Sequence, residues 1–431
     1  MVLINDLVHY TTHPQELLAI IQWKIWYQPT HARDPPTESS DLKECWRFLR
    51  LCSRSFETVV QELPPDLVTP VCIFYLILRS LDTIEDDMTI HPSEKEHLLR
   101  QFHTHISDPL WSYTGNRPTM HDGPLLLNFP YISREYNKLK PEYAQTIASI
   151  TAQMGAGMAD FASSLDSGIT TTTSYGLYCH YVAGLVGTGL TSLFTAASLA
   201  PSSLHSHPTW TESTAQFLQQ TNIIRDVRAD HDDGRSFWPR DVWRKHVDAF
   251  EDLFLPQHRD KAVRCGREMV LLALGRAEEA LRYMALLEEE EEAVLRFVAI
   301  PQCMAFATLE ACFGNGEVFA GKVKISRGLA CRVMMDVRAG MEGVCGVFGF
   351  YAKTIREENE RNDPCAGIEE VCRGIERTAR AIVEEMKVKR ARAQGGCNEM
   401  RRGKERYIYY CTLGMLAMAG VFTAYLVRDV F

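Results

Sequence analysis

The sequence predicts an all-α protein: a single helical domain followed by a C-terminal transmembrane helix. Three observations carry this. Apolar residues recur at spacings of three and four over most of the 431 residues, the period of amphipathic and buried helices. Alternating Val/Ile/Thr runs joined by hairpin turns are missing, which argues against a sizeable sheet. The last long apolar segment, Tyr407–Val427, is 21 residues without a charge, long enough at ~1.5 Å per residue to cross ~30 Å of hydrocarbon.

In chain order, helical periodicity covers Cys45–Glu62, Leu67–Asp86, Pro141–Leu165, Glu212–Asp230, Lys261–Leu287 and Val294–Phe313. Breaks fall where Pro, Gly and Asn cluster: Pro64-Pro65, Ser107–Pro130, Pro201–Pro208 and Asp232–Pro239. Val182–Ala200 is free of charge for 19 residues but is diluted by Gly184, Gly187 and Gly189 and lacks basic flanks. It reads as a buried core helix whose glycines let a neighbour or ligand approach closely. The acidic run Glu288–Glu292 reads as a solvated helix face or loop. No internal repeat is present. The expected plan is a helical catalytic domain over 1–385, a basic linker over 386–406 and a membrane anchor over 407–427.

Charge supports the plan. The chain carries 46 Lys/Arg against 55 Asp/Glu, a net −9, which excludes a general nucleic-acid binder. Residues 387–406 alone carry eight basic and two acidic side chains. This patch directly precedes the apolar segment, so the basic side, and with it the catalytic part, is expected to face the cytosol. The 13 cysteines form no C-x-x-C pair, which fits a reducing compartment. The N-terminus does not read as a secretory signal.

The chemistry is concentrated on two helices. In Val71–Asp87, Tyr75, Arg79, Asp82 and Asp86 share one stripe of an otherwise apolar helix. Such a stripe is costly to bury unless it lines a cavity or binds something. Asp87, just outside it, reads as a surface acid at the helix end. In Phe217–Asp230, Gln219, Asn222, Asp226 and Asp230 repeat the pattern, with Arg225 beside it. Facing each other, the stripes offer hard oxygen ligands suited to Mg²⁺, which shares its remaining positions with water and substrate phosphates. A diphosphate held by Mg²⁺ and arginines is a good leaving group. If it leaves an allylic carbon, the resulting cation needs a dry, aromatic-lined cavity.

These stripes, together with SRSF (Ser53–Phe56), YCHYVAGLVG (Tyr178–Gly187), NIIRD (Asn222–Asp226), GRSFWP (Gly234–Pro239), AIPQ (Ala299–Gln302) and VKISRG (Val323–Gly328), resemble the squalene synthase family over roughly residues 40–340. The resemblance implies an isoprenoid-synthase helical fold around a central cavity. It also implies head-to-head joining of two farnesyl diphosphates to presqualene diphosphate, then NADPH-dependent reductive rearrangement to squalene. By the same resemblance, Asp82, Glu85, Asp86, Asp226 and Asp230 hold Mg²⁺, and Tyr178 transfers a proton in the first step. Ser53, Arg54, Phe56, Tyr75, Arg79, Gln219, Arg225 and Phe297 are implied to contact substrate. Asn222, Arg235, Lys324, Ser326 and Arg327 are implied to contact NADPH. The family's usual location implies a tail-anchored protein of the endoplasmic reticulum membrane. No oligomer is required, and a monomer is expected.

Two motifs depart from the family's pattern. The second acidic motif usually reads D-Y-x-E-D, whereas Asp226-Val227-Arg228-Ala229-Asp230 keeps only the outer aspartates. The cofactor patch, commonly K-I-R-K-G, here has Ser326 at its third position, so one basic contact to NADPH is lost. Rival readings are a phytoene-type synthase that stops before reduction and an inactive membrane-tethered helical adaptor. The anchor and VKISRG speak against the first, and intact Asp82, Asp86, Asp226, Tyr178 and Arg79 against the second.

Overall fold

The structure, a computed structural model, describes residues 13–26, 35–117, 119–162, 168–287, 291–321, 323–362 and 364–392. Among them every regular element is helical. The order is α1 (Pro14–Trp26), α2 (Ser40–Cys52), α3 (Arg54–Val60), α4 (Pro65–Glu85), α5 (Pro92–His105), α6 (Gly123–Leu127), α7 (Phe129–Tyr136), α8 (Pro141–Ala162) and α9 (Thr172–Cys179). A π-helical turn (His180–Gly184) then leads into α10 (Leu185–Ala196), α11 (Pro208–Arg225), α12 (Val227–Asp232), α13 (Arg240–Trp243), α14 (Arg259–Leu274), α15 (Ala277–Leu287), α16 (Glu292–Cys312), α17 (Arg327–Val337) and α18 (Met341–Arg361).

Three of the expected continuous helices are broken. Cys45–Glu62 divides at Ser53, whose hydroxyl accepts from the Phe56 amide at 3.2 Å and caps α3. Lys261–Leu287 divides at Gly275, which ends α14. Glu212–Asp230 divides at Asp226, whose φ of −97° and ψ of 6° close α11 and open α12. Periodicity does not register such breaks, because a single residue out of helical geometry leaves the apolar spacing on either side intact. The Pro/Gly-rich stretch 107–130, expected to be irregular, contains α6 and the start of α7.

The core is built on α4 and α16. Each is 21 residues long and apolar enough to cross a membrane, but most of each is buried inside the protein. Both are therefore core helices. In α4, Val71, Ile73, Phe74, Leu76 and Ile77 are all but fully buried, and removing them from water contributes about 1.5–3 kcal/mol each. α11 packs against α15, α16 and the π-helical turn, α8 packs against α5 and α10, and α1 lies on α17.

Glycine sets two of these approaches. At Gly155 of α8 an added Cβ would lie 2.3 Å from the Leu99 carbonyl oxygen of α5. At Gly189 of α10 it would lie 2.6 Å from the Phe74 ring. The close approach expected of the Gly184–Gly189 run is thus realised, although the run itself begins as a π turn.

The chain divides into two compact units, Met1–Ala379 and Arg380–Phe431. Of the second unit, residues 380–392 are described and helical. The expected linker therefore begins as helix, supported by Lys387–Glu384 at 2.8 Å and Lys389–Glu385 at 3.5 Å. Its remainder and the apolar segment Tyr407–Val427 lie outside the described residues.

Candidate active site

The polar stripe of α4 and the α11–α12 stretch face one another across a cavity of about 210 Å³. Its lining includes Arg79, Asp82, Glu85, Asp86, Tyr178, Gln219, Asn222, Asp226, Asp230, Arg235 and Phe237. The break at Asp226 does not scatter the second stripe: the Asp230 amide still donates to the Asp226 carbonyl at 2.9 Å, so both carboxylates keep to one side.

Five carboxylates in so small a space repel one another, and Glu85 is buried while the four aspartates are half-buried. Burial pushes the Asp82 carboxyl up to about 7, with Asp86 adding to the rise and Arg79 opposing it. Burial likewise pushes Asp230 up to about 6 against the pull of Arg235. Glu85 is driven up by burial and by Asp86 and Asp82. Three oxygen donors, Asp82, Glu85 and Asp230, whose charged forms are disfavoured chiefly by burial, beside two further aspartates, fit a hard divalent cation such as Mg²⁺. Among the described residues no three of them converge at ligand distance. A cation here would take its remaining ligands from water or phosphate.

Two arginines line this cavity. Arg79 donates to Asp122 from Nη2 at 2.6 Å and from Nε at 2.7 Å, while its Nη1 lies 3.6 Å from Asp82. Asp122 precedes α6 and also receives His121 Nδ1 at 2.6 Å. Arg235, implied by resemblance to touch the cofactor, bridges the two acidic stretches. It donates from Nη1 to Asp86 at 2.6 Å and from Nη2 to Asp230 at 2.8 Å.

Tyr178 is buried at the end of α9, directly before the π turn, with its ring stacked on Phe237 at 5.0 Å. Burial, reinforced by Glu85, Asp86 and Asp82, raises its pKa well above that of a free phenol, so the hydroxyl stays protonated. Such π turns occur frequently at functional sites. His180, the first residue of the π turn, pairs through Nδ1 with Glu212 at 3.0 Å.

Beyond the acidic cavity lies a larger apolar one of about 400 Å³, sharing Arg79, Asp82, Val182, Gln219 and Asn222 with it. Its wall is aromatic: Phe56 stacks on Tyr75 at 4.4 Å and meets Phe297 at 5.8 Å, and Phe297 meets Phe194 at 5.9 Å.

Of the site residues expected from sequence, Phe56, Tyr75, Arg79, Asp82, Glu85, Asp86, Tyr178, Gln219, Asn222, Asp226, Asp230, Arg235 and Phe297 are brought together in these two cavities. Ser53, Arg54, Arg225, Lys324, Ser326 and Arg327 line neither. Arg54 is exposed at the start of α3, and Arg225 is paired with the adjacent Asp226 at 2.6 Å. Lys324 and Arg327 are exposed cations that suit a phosphate. Ser326 fits one poorly: its hydroxyl caps α17 by accepting from the Leu329 amide at 2.9 Å and is bonded to Glu16 of α1.

Asp87 corrects the sequence reading. It is fully buried and accepts from the Thr89 hydroxyl at 2.6 Å and amide at 3.0 Å, the Arg117 amide at 2.9 Å and Asn116 Nδ2 at 3.0 Å. Burial pushes its pKa up, but these hydrogen bonds outweigh it and hold the carboxyl at about 2. Asp122 was not anticipated, because it lies in a stretch where periodicity carries no signal.

Residues 49–328 match the family model described as squalene/phytoene synthase. The chain is 49% identical over 381 residues to squalene synthase R6 of Phoma sp., covering 88% of this chain and 90% of that protein. It is 44% identical over 423 residues to a probable squalene synthase of Neurospora crassa, covering 96% and 88%. Among solved structures, a complex of TcSQS with the ligand E5700 superposes with a TM-score of 0.76 at 36% identity, covering 80% of this chain and 99% of that one.

Proposed function

This chain belongs to the squalene/phytoene synthase family, and from that premise we propose that it is a squalene synthase. It joins two farnesyl diphosphates head to head, releasing one diphosphate and one proton to give presqualene diphosphate. It then releases the second diphosphate, rearranges the carbon skeleton and adds hydride to give squalene. The observation that carries this reading is the junction of the two cavities. A polar chamber of carboxylates and arginines opens through Arg79, Asp82, Val182, Gln219 and Asn222 into an aromatic-lined apolar one. That is the division a prenyl diphosphate requires.

Asp82, Glu85, Asp86, Asp226 and Asp230 would hold Mg²⁺, which when bound neutralises the charge that diphosphate gains as it leaves. Arg79 and Arg235 offer guanidinium forks matched to phosphate oxygens. Tyr178, held protonated and fixed against Phe237, is placed to relay a proton at the edge of the acidic chamber. Phe56, Tyr75, Phe194 and Phe297 exclude water and present ring faces to a carbocation. NADPH is the hydride donor of the second half-reaction on the strength of family membership, with exposed Lys324 and Arg327 available to its phosphates. The basic stretch ahead of Tyr407–Val427 supports a membrane anchor with the catalytic unit facing the cytosol; the endoplasmic reticulum membrane and a monomeric state rest on family membership alone.

The test is incubation of the full chain in detergent with farnesyl diphosphate, Mg²⁺ and NADPH, with products resolved by chromatography. Squalene is expected. Accumulation of presqualene diphosphate alone would confine the enzyme to the first half-reaction, and absence of both products would overturn the assignment.

A further inference from the structure

The position of Arg235 is unusual for a residue whose task is to meet a phosphate. Its guanidinium lies between the two acidic stretches, with one terminal nitrogen on Asp86 at 2.6 Å and the other on Asp230 at 2.8 Å. Without it, Asp86 and Asp230 would lose their only direct ion-pair partner across the gap among the described residues, leaving the more distant Lys95 and Arg225 to balance their charge. Nη2 also lies 3.6 Å from Asp233, while Nε is buried with no hydrogen-bond partner. A buried donor left unpaired is costly, so the observed pose satisfies the aspartates better than it satisfies the arginine.

The segment that carries Arg235 turns sharply, and the Arg235 amide is held to the Asp230 carbonyl at 2.8 Å, so any movement of the guanidinium is a matter of its side-chain torsions. Gly234, immediately before it, has a φ of +80°, a conformation open to glycine and strained for other residues. The guanidinium carbon sits 5.9 Å from the centroid of Phe237, the ring stacked on Tyr178. Arg235 is thus linked by packing to the residue placed for proton transfer.

We propose that Arg235 is a placeholder cation. In the metal-free protein it occupies the space between Asp86 and Asp230 that Mg²⁺ and diphosphate take in the working enzyme, and it keeps the two acidic stretches in register. When Mg²⁺ takes over the carboxylates, the guanidinium is released from them. It then turns to the diphosphate, where Nε finds its missing acceptor. This rests on the reading of the acidic cavity as a Mg²⁺ site. It adds that the arginine and the metal compete before substrate arrives and cooperate once diphosphate is bound.

The test compares the full-length wild type with Arg235→Gln. Calorimetry measures MgCl₂ binding alone, then inorganic diphosphate binding at saturating Mg²⁺, and thermal denaturation is followed in EDTA. A placeholder predicts Mg²⁺ binding tighter by about fivefold or more in the variant. It also predicts diphosphate binding weaker by about tenfold and a lower metal-free melting temperature. Mg²⁺ binding unchanged or weakened in Arg235→Gln would overturn it, because an arginine that merely braces the site cannot compete with the metal. If that variant does not fold, Arg235→Lys keeps the charge but reaches only one carboxylate, and an affinity for Mg²⁺ no tighter than wild type would overturn the proposal equally. Failure of the wild type itself to bind Mg²⁺ would instead overturn the metal reading on which it stands.

Discussion

The Arg79 guanidinium is gripped by Asp122 at 2.6 and 2.7 Å, while Asp82, one helical turn away on the same stripe, stays 3.6 Å from it. The contact fixes where the guanidinium fork sits, although Arg79 still lowers the Asp82 pKa from that distance. With Asp122 holding the fork, Asp82 remains available to a metal, and Arg79 is presented at the boundary between the two cavities. Replacing Asp122 by Asn removes the charge but keeps the shape, so Arg79 is expected to swing toward Asp82 and compete with Mg²⁺. The expected result is a rise of about tenfold or more in the Mg²⁺ concentration needed for half-maximal activity, the scale on which outer-shell partners act. Steady-state titration of Mg²⁺ at fixed farnesyl diphosphate measures it. An unchanged requirement would show that Arg79 needs no partner.

The raised carboxyls give a pH signature to the metal-free protein. The folded-state pKa values of Asp82 and Asp230 are about 7 and about 6, above the ~4 of an unfolded aspartate. The folded protein therefore binds more protons than the unfolded chain between pH 4 and 7, and its stability falls as pH rises through that window. Mg²⁺ binds the ionised carboxylates and should reverse the trend. Melting curves in EDTA are expected to shift to lower temperature from pH 5 to pH 7.5. Curves in millimolar Mg²⁺ should flatten or rise over the same range. Parallel behaviour in both buffers would count against the carboxylates as the metal site.

Tyr178→Phe removes one hydroxyl and keeps the ring that stacks on Phe237 at 5.0 Å. Folding should change little, because the packing surface is retained. If the hydroxyl relays the proton of the first half-reaction, presqualene diphosphate formation should fall by about 10²-fold or more, with the melting temperature within a few degrees of wild type. Single-turnover assays with radiolabelled farnesyl diphosphate would measure the first step in isolation. A rate close to wild type would return Tyr178 to a packing role.

What was legible in the sequence was local. Asp82 and Asp86 could be read as partners because four residues along a helix return to the same face, and the apolar surroundings of α4 made an exposed stripe there implausible. Asp226 and Asp230 were legible for the same reason, although the break at Asp226 was not, since one residue leaving helical geometry costs the apolar spacing nothing. The pairs that complete the site are not local. Asp122 lies 43 residues from Arg79 in sequence, inside a Pro/Gly-rich stretch without periodicity. Arg235 reaches back to Asp86 of the other acidic stretch from a loop. Asp87 shows the converse failure. An acidic residue past a helix end resembles solvated surface in sequence, and only the return of residues 116 and 117 to it reveals a buried anchor.

That anchor supports a final prediction. Asp87 takes four hydrogen bonds, from Thr89, Asn116 and Arg117, and so ties the end of α4 to the segment that delivers Asp122 a few residues later. Its pKa is depressed to about 2, below the unfolded value. Its contribution to stability is therefore fully present above about pH 4 and is lost as pH falls toward 2. Asp87→Asn should cost on the order of 2 kcal/mol at pH 7, and the deficit should shrink as pH approaches 3, where the wild type loses the same charge. Because the tether also positions Asp122, the variant should share the raised Mg²⁺ requirement of Asp122→Asn. The double variant should then show no further rise, since both changes release the same arginine. Additive effects in that cycle would mean that Asp87 holds only the loop, and that Arg79 is fixed without it.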